Sequence, residues 1–200
     1  MIKWLTILLA FIAQDKAKDP ATGKEAMQRI QRLVGEWKGT GTPKELKREA
    51  WEETLNCGFK IDKEKDLYQL EVTIKDGIFW KSALIDYDLK KKLYTCEAVL
   101  VAADSKKSFT GKYVASDREL TFDEVTEAYP RERVVFTLLH DARIIVEFLK
   151  QEGKGKDYLS LATVGQTKPG FVKGGGALCV VTGGGGSIPV TYQGKTYYVC

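Results

Sequence analysis

From position 36 to position 166 apolar residues recur at every second place, in short runs divided by polar turns. Trp51, Leu55, Cys57, Phe59 and Ile61 fall on one phase, with Glu52, Thr54, Asn56 and Lys60 between them. Tyr68, Leu70, Val72 and Ile74 alternate in the same way with Gln69, Glu71, Thr73 and Lys75. A period of two is the mark of a strand with one face buried. The pattern predicts about ten strands, at 36–42, 46–61, 68–75, 78–87, 93–102, 108–115, 119–126, 133–140, 143–150 and 158–166. Asp76-Gly77 is a strong hairpin signal. No helical segment falls between these strands, which excludes parallel crossovers and makes the sheet antiparallel. So many strands must manage their edges. Closure into an up-and-down barrel removes the edges altogether, and an open two-sheet sandwich is the alternative.

The segment before the first strand has another period. Ala26, Met27, Ile30, Leu33 and Val34 follow helical spacing over 24–34, and Gly35 is placed to end the helix. This helix is expected to cover one end of the barrel. The fold class is therefore mainly β, an antiparallel up-and-down barrel of about ten strands with one short N-terminal helix and a C-terminal β-hairpin. The expected division is a signal peptide at 1–13, a linker at 14–23, the barrel at 24–167, a Gly-rich linker at 168–176 and a hairpin at 177–200.

The signal-peptide reading rests on a basic start at Lys3 followed by an apolar run from Trp4 to Ala13, broken only by Thr6. That run is well short of the about 20 residues a membrane-spanning helix needs, so no stable membrane insertion is expected. A secreted or periplasmic location follows. The net charge of +4 is too small to argue for nucleic acid. Lysines cluster at Lys90-Lys91-Lys92 and Lys106-Lys107, beside turn residues, as solvated hairpin ends or as an anion-binding patch.

Where the helix meets the first strand stands Gly35-Glu36-Trp37-Lys38-Gly39-Thr40-Gly41. Glycine permits the chain reversal and the indole plugs the barrel end. This run resembles the calycins, the superfamily of lipocalins and fatty-acid-binding proteins. The fuller motif is also similar to nitrobindin-like barrels and to a bacterial family of lipocalin-like secreted domains. The resemblance implies a barrel that binds a small hydrophobic ligand. Its pocket would be lined by Trp37, Tyr68, Tyr94, Tyr113, Phe136 and Phe148. The wider set of expected inward residues adds Leu70, Leu100, Phe109, Phe122 and Tyr158. Periodicity leaves open whether these side chains line a cavity or fill the interior. Nitrobindins hold haem through a histidine, but the one histidine here, His140, ends a strand beside a turn. No haem is expected.

Catalytic motifs are sparse. A Ser-His-Asp arrangement would have to use His140, and no Gly-x-Ser-x-Gly elbow is present. Glu97, Asp123 and Glu124 are carboxylates on strands, read as outward-facing. The sequence therefore leads to the expectation of a protein that is not an enzyme.

The tail carries its own chemistry. Cys179-Val-Val-Thr-Gly183 and the run Tyr192-Gln193-Gly194-Lys195-Thr196-Tyr197-Tyr198-Val199-Cys200 resemble a YHS/TRASH-type module. The resemblance implies soft-metal binding, of copper or zinc, with Cys179 and Cys200 as thiolate ligands. Val180 replaces the usual proline, and the family's further cysteines are not in this sequence, so the site is incomplete. A Cys179–Cys200 disulfide and inert thiols are the alternatives. Cys57 and Cys96 are read as buried thiols, a disulfide pair or metal ligands. The reading reached from sequence is an exported binding protein whose tail handles a soft metal. The alternative is a carrier or sensor of a small hydrophobic molecule in the barrel, with a purely structural hairpin.

Overall fold

The computed structural model describes residues 19–45, 48–103 and 105–170, and the backbone of 188–192 and 195–199. The expected signal peptide, the linker at 171–176, and Cys179 and Cys200 lie outside the described residues. The chain divides into two units, Met1–Lys168 and Pro169–Cys200.

The first unit is a closed antiparallel barrel of ten strands, as the alternation implies. The strands are β1 Gly35–Pro43, β2 Trp51–Asp62, β3 Leu67–Lys75, β4 Trp80–Asp88, β5 Leu93–Leu100, β6 Lys106–Val114, β7 Glu119–Glu124, β8 Arg131–His140, β9 Arg143–Gln151 and β10 Leu159–Thr167. Each pairs with its neighbours in sequence, and β1 pairs with β10 to close the ring. This fits the lipocalin-like fold.

Several boundaries differ from expectation, most by one or two residues, and two of the differences have a local cause. The second strand begins at Trp51, five residues later than the pattern placed it; Lys44, Glu45 and Arg48 form bends instead. The fourth begins at Trp80 instead of Ile78, after the turn at Asp76, whose φ is 61°. The expected helix is also shorter. α1 spans Gly23–Arg29, and Gln31–Leu33 form a 3-10 turn. Thr22 caps α1 by accepting the Glu25 N–H at 3.1 Å, and Glu25 reaches back to accept from Ala21 N at 2.7 Å. This reciprocal capping supports a helix too short to stand alone. α1 lies over the strand ends of β3 and β4, burying Ala26 and Met27.

The Gly-Trp-Gly-Gly run is explained by contacts. Gly35 turns from the 3-10 segment into β1 with φ at 131°, a conformation L side chains rarely adopt. Trp37 is fully buried, and its indole N–H donates to the Leu33 carbonyl at 2.8 Å. The Lys168 ammonium sits 4.7 Å from its ring centroid. A Cβ at Gly41 would lie 2.2 Å from the Trp51 ring, so only glycine lets that indole lie against β1.

The interior is occupied. Trp37, Trp80, Phe109, Phe122, Leu55, Leu70, Ile85, Leu120 and Ile144 are all buried below 2% exposure. Trp80 contacts Phe109, Phe148 and Phe136, with ring centroids at 5.3, 5.8 and 6.4 Å. Phe136 in turn meets Phe122 edge-on at 6.3 Å. Of the two alternatives the sequence left open, these contacts match the filled barrel. In the second unit Ile188–Tyr192 (β11) and Lys195–Val199 (β12) pair antiparallel, in register from Ile188 with Val199 to Tyr192 with Lys195.

Candidate ligand cleft

With the axis filled, the sizeable spaces open at the ends and outer face of the barrel. The largest of those described, about 430 Å³, lies at the helix-covered end. Its walls come from the segment before α1 (Asp19, Pro20), the end of α1 (Arg29), the β4–β5 hairpin (Tyr87, Lys91, Lys92, Leu93, Tyr94) and the end of β6 (Lys112, Tyr113). That volume falls in the usual range for small-molecule sites.

The hairpin is shaped locally. Asp88 accepts from the backbone N–H of Lys90 at 2.9 Å and of Lys91 at 3.0 Å, and Lys92 turns back with φ at 55°. The Lys91 N–H bond is the main reason the Asp88 carboxyl sits below its ordinary range. This tight turn places Lys91 and Lys92 on the cleft wall instead of out along the strand axis. Lys92 Nζ pairs with Asp19 at 3.0 Å, and Lys91 Nζ lies 3.8 Å from Asp88.

Three phenols make the floor. Tyr87 and Tyr94 meet edge to face at 5.0 Å, and both rings are buried. The Tyr94 hydroxyl donates to the Ala26 carbonyl at 2.8 Å, tying the floor to α1. Burial is the chief reason that the Tyr94 hydroxyl resists ionisation; Arg29 works the other way, and Tyr87 and Tyr113 add to the resistance. Tyr87 is raised first by burial and next by the Asp19 charge, with Arg29 and Lys92 opposing. The Arg29 guanidinium therefore acts on both buried phenols of the floor, Tyr87 and Tyr94.

The opposite end is closed by other means. Phe79 stacks on Phe148 at 4.2 Å, and Trp51 meets Phe79 edge-on at 6.0 Å. Above them Lys107 reaches Glu132 at 2.8 Å and Glu124 at 3.1 Å. Burial works against the Lys107 charge, but the hydrogen bonds to both carboxylates outweigh it and raise its pKa. A smaller space of about 220 Å³ borders this rim, beside Phe79, Leu161, Arg48 and Lys150.

The expected pocket residues are thus divided. Tyr94 and Tyr113 line the cleft. Trp37 plugs the barrel at that end and Tyr68 is half-buried beside the core. Phe136 belongs to the interior cluster, and Phe148 lies under the far rim. Tyr87 and Arg29, central to the cleft, were missed. Tyr87 shared the apolar phase of its strand, and Arg29 read as part of the polar face of a helix.

The remaining candidates are occupied elsewhere. Tyr158, expected inward, instead packs outside the barrel, 4.0 Å from the Arg133 guanidinium, and donates to Asp123 at 3.2 Å. Asp123 also accepts from Arg133 at 2.6 Å. Glu97 accepts from the Ser108 hydroxyl at 2.6 Å. His140 is exposed at the β8–β9 turn, where Nδ1 accepts the Ala142 N–H at 3.2 Å. Cys57 and Cys96 are free and buried, so of the alternatives the disulfide is not formed between them. Burial pushes the Cys57 thiol up to about 12 and raises Cys96 as well. Among the described residues there is no group of three or more His, Cys, Asp or Glu placed to hold a metal, and no helix long and apolar enough to cross a membrane.

No protein-family model matches the chain, and no curated protein matches it. Among solved structures it is similar to the S-type phycobiliprotein lyase CPES from Guillardia theta, at 8% identity and a TM-score of 0.46, covering 72% of this chain and 92% of that one. That neighbour is by name a lyase, an enzyme, so the non-enzymatic expectation is corrected and carried no further. At this identity and score the likeness assigns no activity.

Proposed function

We propose that the protein binds a small, partly apolar molecule at the helix-covered end of its barrel. One observation carries this reading: a cleft of about 430 Å³ floored by Tyr87, Tyr94 and Tyr113, beside an interior already filled by Trp80 and its neighbours. Tyrosines supply apolar area at the ring and donors at the hydroxyl, a combination suited to a ligand with a flat body and a few polar atoms. The site differs from the expected one in position. The ligand sits against the plugged end instead of along the axis.

Benzyl alcohol tests the reading as a small neutral aromatic probe. Titrated into the full chain and followed by 1H–15N NMR, it is expected to shift amides of Tyr87, Leu93, Tyr94 and Tyr113 in a saturable manner. Tyr113→Ala should weaken this response, because it removes one of the three floor rings and leaves the buried Tyr87–Tyr94 pair in place. Shifts confined to Phe79 and Leu161 would move the site to the other end, and no saturable shift anywhere would refute small-molecule binding by the barrel.

A further inference from the structure

The cleft has an electrostatic asymmetry that a purely apolar ligand would not use. Arg29, Lys91, Lys92 and Lys112 line it, against the carboxylate of Asp19 alone among the described lining residues. These cations come from three separate parts of the chain: the last turn of α1, the β4–β5 hairpin and the end of β6. Only the first of these has a local helical reason, since a cation favours a helix C-terminus. Like charges gathered from different elements around one space repel, and that repulsion is relieved when an anion enters. The nearby carboxylates leave part of it in place. Asp19 is shared with Lys92, Asp88 lies beside Lys91, and Lys112 stands exposed without an ion-pair partner among the described residues.

The hydroxyls point to the same chemistry. Tyr87 and Tyr113 border the cleft, and burial together with the Asp19 charge keeps the Tyr87 phenol protonated. A protonated phenol donates a hydrogen bond. An oxyanion placed here would meet a guanidinium fork, ammonium groups and phenolic O–H donors, all of which strengthen when the acceptor is charged.

We propose that the cleft recognises a small aromatic molecule through an oxyanion headgroup, a carboxylate or a phosphate, held by Arg29 and Lys112 with the ring against Tyr87 and Tyr113. The inference rests on the small-molecule reading above, and it adds the charge of the ligand. The repulsion among cations is the reason a neutral analogue should bind more weakly.

Isothermal titration of the full chain at low salt with benzoate, phenyl phosphate and benzyl alcohol separates the possibilities. At least one of the two anions should bind about tenfold or more tighter than the alcohol, as expected for a hydrogen bond to a charged group. Whichever of the two is tighter identifies the headgroup. Lys112→Gln, an exposed change that leaves the floor intact, should weaken the anion several-fold and by a clearly larger factor than it changes the alcohol. Raising salt to 0.5 M should also weaken the anion, since its partners are partly solvent-exposed. Equal affinity for anions and alcohol would overturn the oxyanion proposal while leaving small-molecule binding standing. Binding of none of the three would overturn both. Tight anion binding unchanged by Lys112→Gln and by Arg29→Gln would place the anion elsewhere and overturn the assignment.

Discussion

Glu53 is one of two buried polar residues in the barrel core, at 7% exposure, and its replacement gives a sharp test of how the interior is held. Its carboxylate accepts from the Trp51 indole N–H at 2.8 Å and from the Gln166 amide at 2.7 Å. Burial raises its pKa above the ordinary 4.5; the hydrogen bonds from Trp51 and Gln166 pull it back without cancelling the shift. Glu53→Ala removes the acceptor for two buried donors. Each stranded donor costs about 1–3 kcal/mol, so the loss should be about 2–6 kcal/mol. Glu53→Gln keeps one oxygen to accept from Trp51, and its new amide N–H meets the unpaired Gln166 oxygen once that amide turns over, so it removes the buried charge and should stay within about 1 kcal/mol of the parent. The pH dependence carries a definite sign. A carboxyl raised in the folded state holds its proton more tightly there than in the unfolded chain. Its contribution to stability is fully present below 4.5 and is lost as pH rises through the folded value. Urea unfolding at pH 4.5 and pH 8 should therefore show the Gln variant gaining on the parent as pH rises. Equal destabilisation by Gln and Ala at pH 8 would show that the charge itself stabilises the barrel, and would refute the argument.

Trp80→Ala should cost about 3–5 kcal/mol in urea unfolding, because it opens a void among Phe109, Phe136 and Phe148; a loss under about 1 kcal/mol would mean the interior is not filled by this indole. Alkylation of the reduced full chain at pH 8 should leave Cys57 and Cys96 unlabelled until urea is added, since both thiols are buried and held protonated. In the same experiment, the soft-metal role we propose for Cys179 and Cys200 predicts that stoichiometric zinc slows their labelling. Labelling of those two that zinc does not change would remove that role.

The strands were legible because a half-buried sheet writes its geometry into every second residue. Leu70 and Val72 on β3, or Val134, Phe136 and Leu138 on β8, are buried where the alternation placed them. The antiparallel order was legible too, from connections too short for crossovers, and closure followed as the reading that removes the edges, with an open sandwich as its alternative. The pattern failed where alternation continues beyond the region it describes. Phe59 and Ile61 stand on the inward phase of β2, yet they are 41% and 51% exposed, because the β2–β3 hairpin runs past the barrel end. It failed again at Tyr158, whose ring pairs with Arg133 and Asp123 on the outer surface.

The cleft was less legible, for a related reason. Periodicity reports which face of a strand a residue takes and nothing about which strand ends meet. Lys91 and Lys92 read as a solvated hairpin end or an anion-binding patch, and nothing in the pattern tied Lys112 or Arg29 to them. They share one space because β4, β5 and β6 end at the same rim and α1 lies across it. Each of those side chains is unremarkable within its own element, so the composition of the site becomes visible only once closure fixes which ends are neighbours. The same closure decides where a ligand can go. A ten-strand ring has room along its axis, but this chain spends that room on Trp80, Phe109, Phe122 and Phe136, whose mutual contacts hold the ring together. The binding we propose is then displaced to the rim, where tyrosines and cations border the open space. In this barrel the cleft shares Tyr87 and Tyr94 with the core, and Tyr113 packs against it, so a change at the exposed Lys112 is the one that should alter recognition while leaving the stability of the ring almost untouched.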